Sequence, residues 1–182
     1  MEIPYWDEGE IPKRILHPQS SVSYPGGYAG LLVVALSTHA LIGYVLGSVV
    51  FDAPRAGVVG ALAADADLVF PAAWEWPLVH RGPTHSLAAA ALAVGVAFAA
   101  TRDRSVTAAV GAGYLSQLLV DATTPTGIPA LWPLSREIYH LPLNGHSGPE
   151  TVATWIVCLG VLARHHEDGV RGLLRQWTPG RE

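Results

Sequence analysis

His80-Arg81-Gly82-Pro83-Thr84-His85-Ser86, leading into the uncharged run Leu87 to Ala100, is the stretch on which the fold turns. Two imidazoles, a guanidinium and two hydroxyls stand at the head of an apolar segment. A helix start uses a cap and a fixed entry, which Thr84 and Pro83 can supply. It has no use for two histidines and an arginine. Read structurally, the histidines are incidental. Read chemically, one or both bind a metal and Arg81 faces an anionic substrate.

The surrounding composition points to a membrane. Of 182 residues half are apolar and 14% are charged, and the mean hydropathy is +0.30. That length suits one domain. The net charge of -4 gives no footprint for nucleic acid. Cys158 is the single cysteine, so an intrachain disulfide and a thiolate zinc site are both excluded. Any metal must be held by His, Asp or Glu.

Outward from the opening stretch, the chain divides into three parts. Met1 to Gly27 is polar with four prolines and is expected to be an irregular arm. Residues 28–163 are expected to be an all-α, integral-membrane bundle of four to five helices, with a long Pro/Gly-rich loop before the last one. Residues 164–182 form a polar tail. The expected helices are Tyr28 to Phe51, Ala56 to Phe70, Thr84 to Ala100, Val106 to Val120 and Thr151 to Ala163, the last opened by a capping box at Ser147-Gly148-Pro149-Glu150. Trp74 and Trp76 suit a membrane interface. Ala122 to Gly148 is too long for a mere connector, which marks it as functional.

The buried-type ionisable residues fall at one height. Antiparallel helices put the turns at Asp52 to Arg55 and Arg102 to Arg104 on the same side. Counted from those turns at about 1.5 Å per residue, His39, Asp65, Asp67, His85, Gln117 and Asp121 all lie roughly 15 to 26 Å away. Each such residue at membrane depth costs about 2.5 to 3.5 kcal/mol on insertion scales and needs a partner or a function. A coplanar set of His39, Asp65, Asp67, His85 and Asp121 is a ligand set for a divalent cation, with zinc expected first and manganese or iron as alternatives. Asp65 and Asp67 point about 200° apart on an ideal helix. The second helix is therefore expected to unwind near Asp65, or the pair to serve two metals.

Five blocks, in order, resemble a known family: Thr38-His39 with Gly43; Asp65-x-Asp67; His80-Arg81-Gly-x-Thr84-His85-Ser86; Gly113-Tyr114-Leu115-Ser116 with Asp121; and Thr124-Pro125-x-Gly127-Ile128-Pro129 ending in Leu131-Trp132-Pro133. Together they resemble the LexA-binding, inner-membrane-associated metal-dependent hydrolases of the YdjM type. The resemblance runs from Thr38 to Pro133 and implies a hydrolase. Two positions depart from the family pattern: Gln117 stands where a His usually forms His-x-x-x-Asp with Asp121, and Ala64 where a Pro usually precedes the first Asp. Gln is a poor zinc ligand, so either His140 or His146 is a candidate replacement, their other reading being solvated loop histidines, or the site holds one metal rather than two.

The expected chemistry is metal-activated water attacking a phosphoester, lipid-derived or a small molecule, with an amide bond as another target. His39, Asp67, His80, His85 and Asp121 are the expected metal ligands, Asp65 or Asp67 the general base, and Arg81 the holder of phosphate or oxyanion. Membrane lipid is the expected partner, and nucleic acid is not. The positive-inside rule puts the tail in the cytoplasm and the site toward the outer face. The rival reading is a non-enzymatic ion or proton carrier, or a scaffold. A carrier needs a polar path to the opposite side, where Ser48 and Thr107 are nearly all the chain offers.

Overall fold

An apolar run with no polar face forms α1, Gly27–Phe51. The computed structural model describes residues 27–69, 80–143 and 147–177, with backbone only for 27–29 and 168–177. After α1 come α2 (Pro54–Ala63), α3 (Leu87–Thr101), α4 (Arg104–Ala122) and α5 (Gly148–Trp177). Among the described residues there is no strand, only an isolated bridge between Ile128 and Tyr139. Among the described residues the fold is all-helical with five α-helices, as expected. The expected arm, apart from Gly27, the Trp74 and Trp76 loop, and His146 fall outside the described residues.

Helix length does not carry a membrane span for every helix. Among the described residues α1 alone is long and apolar enough to cross, over the 22 residues Gly30–Phe51. The next three helices have 10, 15 and 19 residues, against about 20 needed. The last helix also departs from expectation, running on through Arg164 to Trp177. Polarity changes at Arg164, but nothing there breaks a helix, and the next proline is Pro179. Its expected capping box is not made: the Ser147 carbonyl accepts from Thr151 N–H at 3.0 Å, while the Ser147 hydroxyl has no hydrogen-bond partner.

Three helices meet backbone to backbone. α2 lies between α1 and α4, and a Cβ on Gly57 would stand 2.1 Å from the Gly43 carbonyl oxygen. A Cβ on Gly60 would stand 2.1 Å from that of Val110. Only glycine permits this approach, as in closely packed membrane helices. α3 packs on α4 through Ala90, which joins Ala64, Tyr114, Leu118 and Ile128 in the apolar core. α5 fastens to α1 by a hydrogen bond from Trp155 Nε1 to Thr38 Oγ1 of 2.9 Å.

The second helix does leave α-geometry near Asp65. α2 ends at Ala63, and a 3-10 turn, Ala64–Val69, carries both aspartates. A second short 3-10 turn, Pro83–His85, precedes α3. Consequently the cap of α3 is Ser86, whose Oγ accepts from Ala89 N–H at 3.1 Å, and not Thr84 as expected. The long loop folds back over this end of the bundle. Ala130 accepts from Leu87 N–H at 3.0 Å, satisfying the first donor of α3, and Ile128 and Tyr139 exchange backbone hydrogen bonds of 3.0 and 2.9 Å. Trp132-Pro133 is a cis peptide bond.

Candidate metal centre

The two 3-10 turns bring their side chains together at the end of α4. Asp67 is the hub of one half. Its Oδ1 lies 2.8 Å from His80 Nδ1. Its Oδ2 accepts from Arg81 N–H at 3.0 Å and from the Thr84 hydroxyl at 2.7 Å. Arg81 reaches that carboxylate because its backbone is left-handed, with φ of 62°, a conformation held in non-glycine residues only by surrounding contacts. Thr84 Oγ1 also lies 3.1 Å from His85 Nδ1. The Thr84 carbonyl in turn accepts from the Tyr114 hydroxyl.

His85 joins this half to the other. Its ring stands perpendicular to that of His80, with centroids 5.4 Å apart. Its Nε2 is fully buried, 3.2 Å from Asp121 Oδ2 and 3.5 Å from Asp65 Oδ1, without a well-directed hydrogen bond to either. Asp121 Oδ1 lies 3.0 Å from the Arg81 guanidinium and 3.5 Å from His39 Nε2. Arg81 also donates to Thr124 Oγ1, tying the long loop to the site. All six residues expected at one height are in this layer, Gln117 through its Oε1, which accepts from Ala64 N–H at 3.3 Å.

The electrostatics follow from burial among opposite charges. Burial pushes the Asp67 carboxyl up, but hydrogen bonds and charge from His80 and His85 more than reverse this and hold it well below the usual range. Burial pushes the His85 imidazole down, and the carboxylates of Asp121, Asp65 and Asp67 around it raise it well above the usual value. The carboxylates around His85 therefore favour positive charge on its ring.

Asp65, His80 and His85 form a group that can hold a metal ion, one ligand atom from each lying within 4.8 Å of the others. The Nε2 of His85 fits that use: it stands at zero exposure with carboxylate oxygens of Asp121 and Asp65 at 3.2 and 3.5 Å, a buried setting that favours a cation. The placement differs from expectation in three respects. Asp65, expected as a base, stands in this group, whereas Asp67, expected as a ligand, faces the Nδ1 side of both imidazoles. Arg81, expected to face a substrate anion, has Asp121 and Thr124 as partners. His39 meets the layer through Asp121.

His140 is exposed on the loop. Gln117 is fully buried and its Nε2 has no hydrogen-bond partner. Sequence reasoning missed Thr84 as a carboxylate donor, and missed Tyr114 and Thr124 altogether as site residues. All three stand in the blocks that carry the resemblance, but only spatial contact reveals their partners.

Solvent reaches the centre from one edge. Side-chain exposure is 21% at His80 and 16% at Arg81, against zero at His85. His80 and Arg81 are thus the rim and His85 the floor.

No curated protein and no solved structure matches the chain. The family described as YdjM inner membrane protein matches residues 34–176, which reach past the five blocks to include most of α5. With that match over most of its length, the chain belongs to the YdjM inner membrane protein family.

Proposed function

We propose that this protein is a multi-pass membrane hydrolase that uses a divalent metal, zinc by its ligand chemistry, to cleave a phosphoester of lipid origin. The observation that carries the reading is the buried Nε2 of His85, with carboxylate oxygens of Asp121 and Asp65 at 3.2 and 3.5 Å. Asp65, His80 and His85 would hold the metal. Three protein ligands leave a position open, as catalytic zinc sites require. The metal supplies Lewis acidity, polarising a phosphoryl oxygen and making water acidic enough to attack near neutral pH.

The chain's own residues do the remaining work. Asp121, held by Arg81 at 3.0 Å, keeps Oδ2 toward the floor of the site and accepts the proton of the attacking water. Arg81 lies at the solvent-side rim. Two of its contacts go to Asp121 and Thr124, and a guanidinium carries five N–H donors, so it has donors left for a phosphate.

Membrane embedding by several helices is supported by what faces outward. Val33 on α1, Val59 on α2, Leu92 on α3, Leu119 on α4 and Ile156 on α5 are each more than 60% exposed. Helices apolar on their outer faces as well as their inner ones suit lipid and not water. Such surroundings favour a lipid-derived substrate whose phosphate meets Arg81 at the solvent-side rim.

The test is elemental analysis of the detergent-purified protein, wild type beside His85→Ala and Asp121→Asn, followed by phosphoester turnover. Metal in the wild type, none in His85→Ala, and metal without turnover in Asp121→Asn is the expected pattern. Equal metal content in the wild type and His85→Ala would overturn the ligand assignment.

A further inference from the structure

We propose that the centre takes a single divalent cation, and that Asp67 is withheld from it as a positioning residue shared by His80 and His85. The inference rests on the metal reading above and adds the number of ions and the division of labour between the two aspartates.

Protons and lone pairs decide which atoms are left for a cation. The Thr84 hydroxyl has one proton, and at 2.7 Å it donates that proton to Asp67 Oδ2. Toward His85 Nδ1, 3.1 Å away, its oxygen can then only accept, so Nδ1 carries the proton. His80 Nδ1, 2.8 Å from Asp67 Oδ1, likewise donates to a carboxylate. Both imidazoles therefore carry hydrogen on Nδ1, which leaves Nε2 as the ring nitrogen available to a cation. A neighbouring group on one ring nitrogen fixes the chemistry of the other.

Asp67 meanwhile has its lone pairs engaged by His80, by Arg81 N–H at 3.0 Å and by Thr84, with His85 Nδ1 at 3.4 Å. A carboxylate offers about four lone-pair sites. A second ion, which two-metal sites hold about 3.5 to 4 Å from the first, would need ligands beyond Asp65, His80 and His85. Asp67 cannot serve without breaking three hydrogen bonds, and Asp121 Oδ1 has the Arg81 guanidinium at 3.0 Å, where it repels a cation.

The experiment is titration of the chelator-treated, full-length protein in detergent with Co2+, followed by calorimetry for stoichiometry and by the visible absorption of the bound ion. Wild type is expected to take one equivalent. Asp67→Asn is expected to take one equivalent about 10- to 100-fold more weakly, with a changed absorption spectrum as the imidazoles lose their fixed orientation. Two equivalents in the wild type would overturn the single-ion proposal alone, and no binding by the wild type would overturn the metal reading with it. A folded Asp67→Asn protein that takes none makes Asp67 a ligand and overturns its positioning role. Should Asp67→Asn not fold, Thr84→Val removes one donor to Asp67 and the acceptor for His85. It is expected to weaken binding and shift the spectrum at unchanged stoichiometry, and an unaltered affinity and spectrum would overturn the proposal.

Discussion

The two stretches on either side of Ala63 differ in what they place between helices. Along α2, Gly57 and Gly60 place nothing, and the backbones of α1 and α4 close to contact distance. Beyond Ala63 the chain tightens into a 3-10 turn, and Asp65 and Asp67 fill the space with charge answered by His80, His85 and backbone N–H groups. The first stretch determines which helices are neighbours. The second decides what those neighbours can bind, and needs the first because His39 and Asp121 arrive on the two helices that α2 joins.

The comparison breaks most sharply at Gly57. Gly57→Val places a branched side chain against the Gly43 carbonyl, and the loss should exceed about 4 kcal/mol, the scale of severe core overpacking and strain. Little folded protein should survive purification, and metal binding should vanish with the fold. Folded Gly57→Val that retains metal would separate the two stretches. At the site end, Ser86→Ala removes the cap acceptor of α3 and should cost about 1 to 2 kcal/mol, measured by thermal unfolding in detergent. Metal stoichiometry should not change, since among the described residues the Ser86 hydroxyl bonds only Ala89 N–H and the Pro83 carbonyl. The smallest effect is the control. Gly95, on α3, has nothing within 4 Å of an added Cβ, so Gly95→Ala should stabilise by about 0.5 to 1 kcal/mol. A loss of stability there would reveal a partner on that face.

Much of this contrast is legible in sequence. The limits of α1 follow from uninterrupted apolarity, and the break at Ala64 from two carboxylates that an ideal helix would point apart. The common height of six polar residues follows from counting along antiparallel helices. The different placement of Asp65 and Asp67 is not legible, because it is decided by Arg81 N–H and by the hydroxyl of Thr84, 17 positions away from Asp67. Nor is the shift of the cap from Thr84 to Ser86, which depends on three residues choosing a 3-10 turn over α-helix. The length of α5 was hidden by equating a change in polarity with an end of helix.

The hydrogen bond between Trp155 and Thr38 joins residues 117 positions apart. At synthesis rates of about 5 to 20 residues per second, Trp155 is made roughly 6 to 23 s after Thr38. For that interval α1 exists without the helix that fastens it, and for the earlier part of it without Asp121 for His39. The order of manufacture leaves the first helix waiting for its last neighbour, with Thr38 bonded only within its own helix until Trp155 has been made.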